Sequence, residues 1–294
     1  MAEGWIESRA CAKLNLRLRI FPRGDDGYHP LETIFCRIDL ADRVGVRLWP
    51  EPHRVWIHVS GPAPAPQGPE NLAARAASLF ARRAGVVGGI EIALAKEVPP
   101  GSGLGGGSSD AAAVLRMLER VLHLPGGRNA LLELAAELGA DVPFLAADIG
   151  LAIGRGRGEE LTPGSGLEPR PMLIALPQVA IPSGEAYAWW DEACERGDIV
   201  PDAPVPISAE QLSSWETLSA LAINDFEPII YQRYQELASI KEELQRSGAR
   251  IALLSGSGSA LYGVYESDED RQSALERLSA ELKGVRLVSA RGPV

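Results

Sequence analysis

The chain has 294 residues, of which 46% are hydrophobic and 23% charged, a balance typical of a globular protein with a buried core. Its formal net charge of −10 argues against general nucleic-acid binding, which requires a basic surface. Cys11, Cys36 and Cys194 are too few and too widely spaced to predict a disulfide framework or a zinc site. No run of about 18 apolar residues and no apolar leader is present, so we expect a cytoplasmic protein without a membrane span. Nothing in the sequence indicates an oligomeric state.

The first hundred residues predict mainly strands. Residues 11–20 alternate between apolar and polar side chains, which is the pattern of a half-buried strand. The helical spacing of apolar residues over 71–84 predicts a helix that ends at Gly85. Further strands are predicted over 31–40 and 89–95, and a hairpin over 43–49 and 54–59.

The rest of the chain predicts a mixture of helices and strands, an α+β fold class. The character of the sequence changes near Thr162–Gly166, which favours two domains, 1–162 and 163–294. The predicted helices are 129–138, a short turn from 141, 183–195, one long helix from 223 to about 248, and 269–282. The predicted strands are 151–153, 172–176, 249–254, 260–265 and 285–290.

A glycine-rich loop interrupts this pattern. Residues 101–107 contain five glycines, which oppose a stable helix or packed strand because glycine loses the most backbone freedom on ordering. Helical spacing begins directly after Asp110, so Ser108, Ser109 or Asp110 is the expected N-cap. A loop that delivers a helix N-terminus favours an anion such as phosphate.

Two common phosphate-binding motifs do not fit this loop. Gly101, Gly103 and Gly106 match G-x-G-x-x-G, but residues 96–100 (Lys-Glu-Val-Pro-Pro) and not an apolar strand directly precede it. Gly126 and Gly127 stand about 20 positions later, where that motif needs an acidic residue. The Gly-Lys-Ser/Thr of a Walker motif is also absent from the sequence. From the residues alone, a surface loop with a good helix cap stays open beside a phosphate cradle of another type.

Three separated segments together resemble a known family. Residues 12–16 (Ala-Lys-Leu-Asn-Leu), the glycine loop and residues 255–260 (Ser-Gly-Ser-Gly-Ser-Ala) are similar to the three motifs of the GHMP small-molecule kinases. The resemblance is closer still to the 4-diphosphocytidyl-2-C-methyl-D-erythritol kinases. It is carried by 26–29 (Asp-Gly-Tyr-His), 103–110 (Gly-Leu-Gly-Gly-Gly-Ser-Ser-Asp), 139–144 (Gly-Ala-Asp-Val-Pro-Phe) and 224–228 (Asn-Asp-Phe-Glu-Pro).

This resemblance implies a two-domain α+β GHMP kinase fold, with ATP over the glycine loop in a cleft between the domains. It implies ATP-dependent phosphorylation of the C2 hydroxyl of the cytidylylated polyol in the non-mevalonate isoprenoid pathway, with Mg²⁺. Two alternatives stay open. One is a related GHMP kinase that acts on another alcohol, and the other is a nucleotide-binding sensor that has lost catalysis.

The resemblance assigns Asp141 as the catalytic base and Lys13 as its partner. A carboxylate that accepts the hydroxyl proton performs general base catalysis, and a nearby ammonium keeps it ionised. From the residues alone, Asp141 is equally a helix N-cap, since Pro143 follows two positions later. Lys13 is equally a solvated lysine on a strand.

The resemblance also implies two sets of binding residues. For Tyr187, simple packing within a helix stays open as a structural alternative. Gly184 stands at a position where the family commonly has threonine, which leaves the contacts near Tyr187 open. Either Ser108 or Ser109 is the candidate for contact with a phosphate or with Mg²⁺, whose other protein ligands are not predicted. The substrate set is Asn15, Tyr28, His29, Asp141 and Tyr187, and the ATP set is Asn71, Lys96, Pro99, Gly101, Gly103, Leu104, Gly105, Gly106, Gly107, Ser108 and Ser109.

Overall fold

The computed structural model describes residues 4–25, 27–50, 55–203 and 205–294. Asp26 of the Asp-Gly-Tyr-His segment and Arg54 of the predicted hairpin therefore lie outside the described residues. The described strands are β1 (Ile6–Ile20), β2 (Leu31–Trp49), β3 (Val55–Ser60), β4 (Gly89–Ala95), β5 (Leu151–Arg155), β6 (Glu160–Pro163), β7 (Arg170–Leu176), β8 (Ile223–Asn224), β9 (Ile251–Leu254), β10 (Leu261–Val264) and β11 (Arg286–Gly292).

The described helices include most of those predicted and several more. A 3-10 helix, Ala209–Ser213, accompanies the α-helices. These are α1 (Leu72–Ala84), α2 (Gly106–Leu122), α3 (Gly127–Leu138), α4 (Val142–Ala146), α5 (Ser183–Arg196), α6 (Trp215–Leu221), α7 (Glu227–Arg233), α8 (Gln235–Arg246) and α9 (Asp268–Glu281). Within the described parts of the chain, no helix has the length and apolar character needed to cross a membrane.

The chain divides into two compact units that interleave along the sequence, so the boundary predicted at 162–163 does not describe them. The reason is that β1 and β2 are long strands, each of which runs from one unit into the other. The first unit comprises Met1–Lys13, Leu40–Pro100 and Gly105–Ile149, and the second comprises Leu14–Asp39, Gly101–Leu104 and Gly150–Val294.

In the first unit, helix α1 has the predicted ends. Asn71 is its N-cap, with Oδ1 accepting a hydrogen bond of 2.9 Å from Ala73 N, and Gly85 ends it at φ +66°. The predicted hairpin is wrong: residues 43–49 of β2 pair antiparallel with β4, and β3 pairs with β4 in parallel. Strand β4, from later in the sequence, lies between the two segments that were expected to pair with each other.

Helix α2 begins earlier than predicted. Its N-cap is Gly105, in the left-handed conformation at φ +69°, and it makes no side-chain cap hydrogen bond. The expected caps Ser108, Ser109 and Asp110 therefore lie inside the helix. The backbone conformation of Gly105, which L-residues rarely adopt, starts the helix before the first polar side chain is reached. The α2 face that includes Val114 and Leu118 is fully buried, and α2 packs against α1, α3 and α4.

In the second unit, a four-stranded antiparallel sheet has the strand order β11-β7-β10-β9. The first half of β2 pairs with β5, and β1 pairs in parallel with the short strand β8. The single helix predicted over 223–248 is wrong, because Tyr234 at φ −129° and ψ 78° separates α7 from α8. The buried core of this unit includes Trp190, Phe226 and Tyr265.

Candidate active site

The start of α2 presents backbone N–H groups in a tight setting. The first intrahelical bond runs from Ser109 N to Gly105 O at 2.8 Å, which leaves the N–H groups of Gly106, Gly107 and Ser108 outside the helix ladder. A Cβ on Gly105 would lie 3.1 Å from Lys13 Cγ, and one on Gly106 would lie 2.9 Å from Val98 Cγ1. We call residues 105–109 the phosphate turn, because unsatisfied N–H groups at a helix N-terminus favour an anion.

The preceding segment, Gly101–Leu104, belongs to the second unit and is held by residues 255–260. Ser255 Oγ donates to Gly103 O at 2.9 Å, and Ala260 N donates to Ser102 O at 3.0 Å. Gly103 has φ +78°, and a Cβ there would lie 1.9 Å from Ser255 O. The close backbone approach therefore requires glycine at position 103.

Residues 224–228, which resemble a family motif, contact the start of the 255–260 loop. Asn224 Nδ2 donates to Leu254 O and to Gly256 O, both at 2.8 Å. Glu227 Oε1 accepts from Leu254 N at 2.9 Å. No role was predicted for this segment from the sequence. Its buried amide and carboxylate groups fix the backbone at Leu254 and Gly256, at the start of the 255–260 loop.

Lys13 and Asp141 are neighbours in the first unit. Lys13 Nζ lies 3.4 Å from Asp141 Oδ2, with the lysine side chain 4% exposed and the aspartate side chain 30% exposed. Asp141 occupies the N-cap position of α4 but makes no side-chain cap hydrogen bond. The capping alternative is therefore not realised in the structure, and the carboxylate is available to a ligand beside an ammonium group.

The ammonium of Lys96 is buried and contacts two carboxylates. Lys96 Nζ donates to Asp42 Oδ2 and, at 2.7 Å, to Asp110 Oδ2, and the three side chains are at most 3% exposed. Burial raises the pKa of Asp110 to about 8, an effect that Lys96 opposes and Asp42 reinforces. These partners differ from the nucleotide contact predicted for Lys96. Asp42, which sequence analysis missed, carries no local signal of its role.

Other predicted ATP-binding side chains also have protein partners. Asn71 caps α1 and its Nδ2 donates to Pro66 O at 2.8 Å. The Ser109 hydroxyl donates to Cys11 O, whereas Ser108 is half-buried. Within the described residues, no group of three or more His, Cys, Asp or Glu side chains could hold a metal ion.

In the second unit, the predicted substrate residue His29 is buried among aromatic rings. Its ring stacks on Tyr187 with centroids 5.3 Å apart and an angle of 10°, and meets Trp190 edge-on at 5.2 Å. Its Nδ1 lies 2.9 Å from Phe21 O. Nε2 lies 3.1 Å from Asp191 Oδ1 but without hydrogen-bond alignment. One face of Tyr187 is therefore covered by His29, and Asp191 is a neighbour that sequence analysis missed.

Tyr28, by contrast, is 54% exposed. The guanidinium carbon of Arg157 lies 3.5 Å from the centroid of its ring, a cation–π contact. Arg157 comes from the segment Gly154–Gly158, where glycine and arginine alternate, and it was not predicted as a site residue. Asn15 is buried, and its Nδ2 donates to Thr33 Oγ1 at 2.8 Å.

The model of the GHMP kinases N terminal domain matches residues 71–148, and that of the GHMP kinases C terminal domain matches residues 208–284. The matches lie on either side of 162–163, which stays a prediction as a boundary between family domains. A 4-diphosphocytidyl-2-C-methyl-D-erythritol kinase of Methylacidiphilum infernorum is 38% identical over 91% of this chain and 88% of the relative. One of Thermus thermophilus is 40% identical over 94% of this chain and 93% of the relative.

Solved structures agree with these matches. A crystal structure of a 4-(cytidine 5'-diphospho)-2C-methyl-D-erythritol kinase has a TM-score of 0.77 and 36% identity, covering 98% of this chain and 99% of that chain. A homoserine kinase from Cytophaga hutchinsonii has a TM-score of 0.69 at 18% identity, covering 98% of this chain and 95% of that chain, which shows a shared fold. Three findings lead to one conclusion: the α+β fold, the two family-model matches, and the sequence identity of 38% and 40% over 91% and 94% of this chain. This chain belongs to the GHMP kinases, in the family of the 4-diphosphocytidyl-2-C-methyl-D-erythritol kinases.

Proposed function

We propose that this chain transfers the γ-phosphoryl group of ATP to the C2 hydroxyl of 4-diphosphocytidyl-2-C-methyl-D-erythritol, a step of the non-mevalonate isoprenoid pathway. The relatives that carry this enzyme's name support the substrate class, at 36–41% identity over most of the chain. The observation that carries the proposal is the contact of Lys13 with Asp141 beside Gly105. A carboxylate and an ammonium group beside the phosphate turn are what phosphoryl transfer to an alcohol would use, and this supports the proposal.

Asp141 is the proposed general base. It accepts the proton of the C2 hydroxyl, whose oxygen forms a bond to the γ-phosphorus while the bond to the β–γ bridging oxygen breaks and ADP leaves. The Lys13 ammonium offsets the negative charge on the transferred group. Phosphoryl transfer requires little covalent help, so positioning and charge stabilisation account for most of this chain's part in catalysis.

ATP is proposed to bind through its phosphates at residues 103–109, where glycines allow close approach and N–H groups at the start of α2 donate hydrogen bonds. Mg²⁺ would neutralise phosphate charge. Mg²⁺ usually keeps several waters and binds one or two protein groups together with substrate phosphates. Either Ser108 or Ser109 remains the predicted protein contact for it.

The cytidylyl group is proposed to bind at Tyr28, His29 and Tyr187. Tyr28 offers an exposed ring for stacking on the base, and Arg157 already occupies one of its faces. Cytosine binding therefore either takes the opposite face or displaces Arg157. Asn15 is proposed to contact the erythritol end. A small-molecule substrate and the absence of an apolar span in the sequence also support a cytoplasmic location.

The experiment that tests the function measures ADP release by the purified protein across a panel of alcohols. The panel contains the cytidylylated methylerythritol, its uncytidylylated form, homoserine and mevalonate, and ³¹P NMR locates the new phosphate. We expect turnover with the cytidylylated compound and phosphate at C2. Turnover with homoserine or mevalonate alone would indicate a related kinase, and ATP binding without any turnover would indicate a sensor.

A further inference from the structure

Three titratable side chains form a buried group beside the phosphate turn. We call Lys96, Asp42 and Asp110 the buried trio. The Cβ that Gly106 lacks would lie 3.3 Å from Lys96 Nζ, so the trio directly adjoins the turn. Two carboxylates share one ammonium, and Asp110 Oδ1 is buried without a hydrogen-bond partner. Buried charges are costly to desolvate, so core packing alone is a weak explanation for the trio.

The trio connects three segments of the first unit. Asp42 lies in β2, Lys96 directly follows β4, and Asp110 lies in α2. Asp42 Oδ1 also accepts hydrogen bonds from the backbone N–H groups of Glu97 and Val98. The same group of charges therefore holds the segment that enters the glycine loop and the helix that leaves it.

We propose that Lys96 is a positioning residue for the phosphates of ATP, acting through Asp42 and Asp110 on the phosphate turn, and that its ammonium does not contact adenine. This inference rests on the proposed kinase function and gives Lys96 a part other than the predicted nucleotide contact. Preorganised N–H donors need no rearrangement when the phosphates arrive. A set of side chains that fixes the positions of these donors therefore affects the binding of every triphosphate equally, with or without an attached base.

The test is calorimetric binding of ATP and of inorganic tripolyphosphate to two variants. Lys96→Met removes a positive charge and Asp110→Ala removes a carboxyl group, and each breaks the link to α2. We expect both variants to bind both ligands about tenfold more weakly, because a misplaced turn costs that much or more. The KM for the cytidylylated alcohol should change far less than the KM for ATP.

The matched control is Arg116→Met, on the same helix. Arg116 lies seven residues after the end of the phosphate turn, pairs with Asp148 at 2.7 Å and donates to Leu145 O at 2.8 Å. We expect it to leave the binding of both ligands unchanged. Thermal melts of all three variants show whether each is folded at the assay temperature.

The two variants separate positioning from simple electrostatics. If charge alone mattered, Asp110→Ala would bind tripolyphosphate at least as tightly as the wild type, and that result would overturn the proposal. Loss of ATP affinity with unchanged tripolyphosphate affinity in Lys96→Met would instead indicate an adenine contact. If Lys96→Met does not fold, Asp110→Ala decides the question, since it keeps the Lys96–Asp42 pair. Tripolyphosphate binding needs no turnover, so failure of the proposed kinase activity is recognised separately in the substrate panel.

Discussion

Lys13 Nζ lies 3.4 Å from Asp141 Oδ2, and the Cβ that Gly105 lacks would lie 3.6 Å from that same oxygen. The Lys13 ammonium, the Asp141 carboxylate and Gly105, the N-cap of α2, thus lie close together in the first unit. The aspartate is the more exposed partner of the pair. Its environment suits a group that meets a ligand rather than one that stabilises a helix.

Asp141→Asn separates these two roles. Asparagine has nearly the same shape, and Asp141 makes no side-chain cap hydrogen bond, so the melting temperature should stay close to that of the wild type. Turnover should fall by about 10²-fold or more, because the amide cannot accept the proton. Single-turnover phosphorylation and thermal melts measure both effects. The control is Asp148→Asn, because Asp148 is an exposed aspartate that also forms an ion pair. Normal turnover in Asp141→Asn would contradict the assignment of Asp141 as the base.

Gly103→Ala and Gly101→Ala form a matched pair in the glycine loop. Both glycines have positive φ, so both substitutions cause backbone strain, but only a Cβ at position 103 meets an atom, Ser255 O at 1.9 Å. We therefore expect Gly103→Ala to lower the melting temperature and raise the KM for ATP much more than Gly101→Ala. Equal effects at the two positions would mean that strain, and not the contact with Ser255, decides the outcome.

Tyr28→Ala tests the proposed cytidylyl site. The variant should weaken binding of the cytidylylated alcohol by about 1–3 kcal/mol, the scale of one base–aromatic stack, and leave the KM for ATP unchanged. Steady-state kinetics with each substrate varied in turn give both values. Trp49→Ala, which removes another exposed aromatic ring, is the control. Equal losses for the two substrates would move the cytosine site elsewhere.

The raised pKa of Asp110 predicts how stability depends on pH. Because burial raises it from 3.8 to about 8, the folded protein holds a proton that the unfolded chain has released between these values. The resulting contribution to stability is complete below about pH 3.8 and is lost as the pH rises to about 8. Asp110→Asn should therefore lose less stability than the wild type between pH 5 and pH 8, as measured by urea unfolding. Parallel unfolding curves for the two proteins would contradict this.

Local signals predicted the elements that local chemistry determines. Helix α1 was confirmed because Asn71 and Gly85 are caps whose effect lies within the helix itself. The start of α2 was wrong because the backbone of Gly105, and not a polar side chain, begins the helix. The hairpin failed because β4 pairs with both of its segments, a non-local choice that periodicity does not reveal.

The same distinction applies to the candidate site: residues within recognisable motifs were predicted, and residues that depend on distant partners were not. Lys13 and Asp141 were predicted from a resemblance, and the structure brings them together. The roles of Ser108, Ser109 and Asn71 as ligand contacts stay predictions. Asp42, Asp191 and Arg157 carry no pattern in the sequence, because each depends on a partner from a distant segment. A lone lysine such as Lys96 likewise gives no sign that it will be buried between two carboxylates.

The interleaving of the two units has a consequence for synthesis of the chain. The N-terminal half of β2 leaves the ribosome long before its partners: Arg37 N donates to Gly150 O, and Arg291 N donates to Asp39 Oδ1 across 252 positions. Contacts so distant in sequence slow folding, and nascent chains generally fold from the N-terminus. The contacts of residues 14–39 are therefore complete only after β11 has been synthesised.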